Sequence, residues 1–96
     1  MSIRLTVQFT IQDGKNDEFE AAAAAGTAAV KAQDKGCEMY DMFRSVDDPT
    51  RYVMVESWAS QEDLDAHMTS PAMAEMGKIG GFMAGAPTMH KYEDQD

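Results

Sequence analysis

The chain has 96 residues, which allows one domain over 1–96 and argues against two. Eight basic residues against seventeen acidic ones give a net charge of −9, which repels nucleic acid and anionic membrane surfaces. A single cysteine excludes a disulfide, and one Cys with two distant His residues excludes the usual structural zinc spacing, so no metal is expected.

Residues 3–11 alternate apolar and polar without a break, which predicts a strand with one apolar face. Gln12-Asp13-Gly14 is a turn. Residues 16–34 read as a helix capped by Asn16 or Asp17, with Asp17 and Glu18 in the first turn. Its apolar stripe, Phe19, Ala22, Ala23, Gly26, Ala29 and Val30, is mostly small and suits close packing on a sheet. Lys35-Gly36 ends it. Residues 37–45 and 51–58 are two strands around the turn Asp47-Asp48-Pro49-Thr50. Both carry large apolar residues on both parities: Met39 and Phe43 against Tyr40 and Met42, then Val53 and Val55 against Tyr52, Met54 and Trp58. Both faces of this hairpin therefore call for cover.

Ser60 starts a second helical region, with Glu62 and Asp63 placed to return a capping bond. Ser70-Pro71 restarts it, with Pro71 in a first turn where its missing N–H is harmless. Met73, Met76, Ile79 or Gly80, and Met83 follow at helical spacing, weakened by several glycines. Residues 88–93 form a short last strand, and 94–96 a solvated tail.

The order βαββαβ predicts an α+β, ferredoxin-like domain: a four-stranded antiparallel sheet with both helices on one face. So short a chain buries only about 60–65% of its surface alone. The open sheet face is thus the expected homodimer surface. No stretch of ~18 apolar residues spans a membrane, and Met1–Arg4 lacks a signal-peptide pattern, so a cytoplasmic location is expected.

The chemistry-bearing residues are few. His67 lies one turn after Leu64, on or near a buried face; it is either structurally satisfied or a pocket base, since imidazole accepts protons near neutral pH. His90, on the last strand, reads as structural. Glu56 interrupts an apolar strand, where a carboxylate is costly unless paired. It meets Arg4, Arg44 or Arg51, or it holds His67 in one tautomer. Trp58 and Tyr40 are core residues or substrate contacts. The nine methionines, concentrated at 68, 73, 76 and 83, fill the core or form a pliable apolar wall for a flat ligand. Cys37 has no obvious base beside it. Gly77-Lys78-Ile79-Gly80-Gly81 lacks the spacing of a phosphate loop, leaving a loose helix end or pocket lid.

Gly36-Cys37-Glu38-Met39-Tyr40, Asp47-Asp48-Pro49, Val55-Glu56-Ser57-Trp58 and Leu64-Asp65-Ala66-His67-Met68-Thr69-Ser70-Pro71 together resemble the antibiotic biosynthesis monooxygenase family, over Val7 to Tyr92. The resemblance implies a ferredoxin-like protomer paired sheet to sheet into a dimeric α/β barrel. It implies an oxygenase without metal, flavin or haem, acting with O2 on a small phenolic or hydroquinone-type aromatic. On that reading His67 is the base and Glu56 orients it. Trp58, Tyr40, Val7, Met68, Met73, Met76 and Phe82 line the substrate site. Haem-degrading relatives use a first-strand Asn and a second-helix His, where this chain has Val7 and Gly77. Two alternatives are an isomerase of a small phosphorylated signal metabolite, which the charge of −9 disfavours, and a non-catalytic dimeric ligand-binding module.

Overall fold

Alternation at the N-terminus becomes β1 (Ile3–Thr10), which buries Ile3, Leu5, Val7 and Phe9 on one face. The computed structural model describes residues 2–94, so the expected tail beyond Asp94 lies outside the described residues. After β1 come α1 (Asn16–Gln33), β2 (Cys37–Arg44), β3 (Arg51–Trp58), α2 (Gln61–Met68), α3 (Pro71–Met76), a 3-10 segment (Gly77–Phe82) and β4 (Thr88–Glu93). The strands form one antiparallel sheet in the order β2-β3-β1-β4. This is the ferredoxin-like α+β arrangement expected from the order of elements.

Register assigns the two faces. Leu5 lies opposite Glu56, Val7 opposite Met54 and Phe9 opposite Tyr52, so β1 and β3 build one inner face. Tyr40 extends it as the partner of Glu56 on β2, and Met89 as the partner of Val7 on β4. The helices cover this face. Val53 and Val55, of opposite parity, stay half-buried on the outer face, with Phe43 and Tyr92 about half exposed there.

Three local expectations are corrected and one is met. Ile11 leaves β1 and makes an isolated bridge to Met83. Helix α1 has no side-chain cap: Lys15 holds the cap position, and Asn16 donates instead to the Pro49 carbonyl and the Tyr52 hydroxyl. Ser60 does cap α2, accepting from the Asp63 amide. The helix expected to run on to Met83 tightens into 3-10 turns at Gly77, where successive glycines remove the α-helical preference.

The alanine-rich stripe of α1 packs as its residue sizes suggest, with Phe19, Ala23, Gly26 and Val30 buried. A Cβ at Gly26 would come within 2.7 Å of the Met76 Cα. Gly26→Ala is therefore expected to lose ~1–3 kcal/mol of stability through overpacking, despite its better helix propensity. The denaturant midpoint measures this; an unchanged or higher midpoint contradicts the close approach of α1 to α3. No helix among the described residues is long and apolar enough to cross a membrane.

Candidate active site

Between the inner sheet face and the α2–α3 segment lies a cavity of about 200 Å3. The sheet contributes Leu5, Val7, Phe9, Tyr40, Met54 and Glu56. From α2 come His67 and Met68, and from α3 Met73 and Met76. Gly77, Ile79 and Gly80 of the 3-10 segment close it, with Met83, Pro87 and Met89 beyond. Helix α3 exists because Ser70 caps it, accepting from the Met73 amide, and Pro71 fills its first turn. That restart turns Met73 and Met76 back over the sheet.

One end of the cavity is polar. His67, at the end of α2, is almost wholly buried, and its ring stacks on Trp58 with centroids 4.4 Å apart. Tyr40 meets the same imidazole edge-on at 5.4 Å. His67 Nδ1 lies 2.7 Å from Asp34 Oδ2. An ionised carboxylate only accepts, so this contact assigns the proton to Nδ1 and leaves Nε2 as the acceptor of the neutral ring. Asp34 also accepts from the Ser70 hydroxyl at 2.9 Å. It is the residue that ends α1, where the helix dipole disfavours a negative charge. Two donors there, with a side chain only 8% exposed, compensate that placement.

Glu56 is not the partner of His67 Nδ1, nor does it meet Arg4, Arg44 or Arg51. Those three arginines engage Asp94, Glu20 and Gln8 instead. Glu56 Oε1 accepts from the Trp58 indole N–H at 2.9 Å, because the two side chains stand next to each other on one face of β3. Burial raises the Glu56 carboxyl above its ordinary 4.5, offset in part by the indole and by nearby His67. Burial and the Glu56 charge also raise the Tyr40 phenol, which stays protonated at neutral pH. Burial raises the Cys37 thiol, which argues against a thiolate nucleophile.

The Glu56 shift has a consequence for stability. Between 4.5 and the folded-state value the native chain holds a proton that the unfolded chain releases, so stability falls as pH rises through that interval. Glu56→Gln keeps an acceptor for Trp58 and removes the titration. Its melting temperature relative to wild type is expected to rise across that pH interval. A difference that does not change with pH contradicts an unfavourably buried carboxylate.

Seven of the nine residues singled out from sequence border the cavity: Val7, Tyr40, Glu56, His67, Met68, Met73 and Met76. Trp58 does not line it; it lies behind His67 and supports it. Phe82 also does not line it, because the 3-10 turn places it beside the core with its carbonyl bonded to the Gln12 amide. Val7 and Gly77 are both in the wall, and neither side chain has an atom to ligate iron. Asp34 went unnoticed in sequence. Its only local signal was an acid in the last turn of a helix, against the dipole preference. A larger groove of about 780 Å3 runs between α1 and β2, but its charged groups are already paired, Lys31 with Asp41 and Arg44 with Glu20.

The family model described as antibiotic biosynthesis monooxygenase matches residues 2–78. No curated protein matches the chain. Among solved structures, a candidate antibiotic biosynthesis monooxygenase from Caulobacter crescentus is 29% identical, with a TM-score of 0.92 over 99% of this chain and 91% of that one. A conserved protein of unknown function and possible oxidoreductase from Bacteroides thetaiotaomicron is 26% identical, with a TM-score of 0.85 over 97% of each chain. A further candidate monooxygenase, from Nitrosomonas europaea, is 21% identical with a TM-score of 0.87, covering 97% of this chain and 89% of that one, and shares the fold.

Proposed function

The chain belongs to the antibiotic biosynthesis monooxygenase family, and from that premise we propose that it is a cofactor-independent monooxygenase of a small phenolic aromatic. The observation that carries this reading is a buried imidazole, fixed by Asp34 and bordering an apolar cavity. A phenolate is electron-rich enough to pass an electron to O2 directly. The protein has to bind the ring, take its proton and keep water away.

His67 Nε2 accepts the phenol O–H proton. The phenolate reduces O2, and the two combine as a peroxide on a ring carbon. His67 returns its proton to that peroxide. Glu56, held by Trp58, removes the hydrogen on the same carbon as the O–O bond breaks. The departing oxygen leaves as hydroxide and takes the Glu56 proton to become water. One phenol and one O2 thus give one quinone and one water, with all electrons supplied by the ring. Positioned acid–base groups of this kind contribute ~10²–10⁴-fold each.

The working form in this reading is a homodimer joined through the outer sheet face. In support, Val53 and Val55 are half-buried there and Phe43 and Tyr92 are exposed.

Oxygen uptake with a panel of simple phenols in chelator-treated buffer tests the proposal. Saturable uptake dependent on protein and phenol is the expected result. Uptake no faster than phenol in buffer, across the panel, removes the oxygenase reading.

A further inference from the structure

The cavity is polar at one end only. Tyr40 and Glu56 are cross-strand partners, and His67 meets Tyr40 at 5.4 Å. Every titratable side chain in the cavity wall belongs to this cluster. Along β1 the floor runs from Leu5, opposite Glu56, through Val7 to Phe9, roughly 13 Å away at ordinary strand rise. The far end is closed by Met83, which bridges to Ile11, and by Pro87, just before β4. No hydroxyl, amide or charged side chain from the described residues borders that end.

The volume is a second constraint. An apolar cavity of ~150 Å3 suffices for benzene, and drug-sized pockets start near ~300 Å3. About 200 Å3 therefore takes one ring with a short substituent.

We infer that the ligand of this cavity is a single-ring phenol with its hydroxyl on one edge, gripped by His67, Glu56 and Tyr40, and an apolar opposite edge among the methionines. The inference rests on the oxygenase reading only for the choice of a phenol; the one-ended polarity and the size come from the cavity. It selects against the 1,4-hydroquinones that a general quinol oxidase would accept. A para hydroxyl would point toward the end lined by Met83 and Pro87, with no side-chain partner for its hydrogen bond among the described residues. Apolar pockets reject an added hydroxyl by up to ~100-fold, which sets the scale of the discrimination.

Titration calorimetry under argon, with turnover impossible, tests this on the unmodified chain. The probes are p-cresol, 1,4-hydroquinone and 2-hydroxyanthracene. The expected result is that p-cresol binds about 10- to 100-fold tighter than hydroquinone, and that the three-ring compound gives no saturable heat. Hydroquinone binding as tightly as p-cresol overturns the one-ended site. Tighter binding of hydroxyanthracene overturns the single-ring limit, and absence of p-cresol binding overturns the whole inference. Failure of the oxygenase reading looks different: the p-cresol preference persists under argon while no phenol drives oxygen uptake in air.

Discussion

His67→Ala is expected to lower kcat/KM for phenol oxidation by ~10²–10⁴-fold, or about 3–5 kcal/mol of transition-state stabilisation. The reason is the position of the imidazole. Its Nδ1 is committed to Asp34 and its face to Trp58, so Nε2 is the one basic nitrogen left to the cavity. Removing a buried ring also opens a void, and part of any loss could then come from misfolding. His67→Gln separates the two effects. Its amide can still donate to Asp34 and fills much of the space, yet it has no basic nitrogen. Initial rates of oxygen uptake for both variants are expected to fall alike, with the melting temperature of His67→Gln closer to wild type. Rates within about twofold of wild type for His67→Gln remove His67 from the chemistry.

The second large effect is expected at Asp34. Asp34→Asn keeps the size of the side chain but replaces an acceptor-only carboxylate with an amide. The amide can turn its NH2 toward His67, which moves the ring proton to Nε2 and blocks the base. In another fold the equivalent exchange behind a catalytic His costs ~10⁴-fold; here ~10² or more is expected. Because Asp34 acts through His67, the loss is expected in kcat with KM little changed. The 15N spectrum of the imidazole supplies an independent readout: wild type carries its proton on Nδ1 and the variant on Nε2. Asp34 also secures Ser70, the cap of α3, so Ser70→Ala is the control for a purely structural role. Equal kcat losses in Ser70→Ala and Asp34→Asn, with the tautomer unchanged in both, contradict a positioning function.

Most of the fold was legible because its signals are local. The unbroken alternation from Ile3 marks β1, a Pro after Ser places the start of α3, and large residues on both parities of β2 and β3 show that the sheet has two surfaces to cover. The site was legible where a residue's own strand or helix face determined its place: Tyr40, Glu56, Met73 and Met76 share the inner side. It was illegible where distant elements meet. Asp34 and His67 are 33 positions apart, and no periodicity connects the end of α1 to the end of α2. For Glu56 the sequence leaves an arginine or His67 open, because a buried carboxylate demands a partner and spacing does not say which. The partner proved to be the indole two residues along the same strand. Phe82 comes to the site through the family resemblance alone; the residue that helical spacing selects, Met83, does border the cavity, while the 3-10 turns place Phe82 beside the core.

Oxidation of a single-ring phenol under 18O2, read by mass spectrometry of the product, tests the central claim most directly. Incorporation of one 18O atom per quinone, with the second appearing in water and no hydrogen peroxide released, is the predicted result. Unlabelled quinone with stoichiometric peroxide, or no quinone at all, would contradict it.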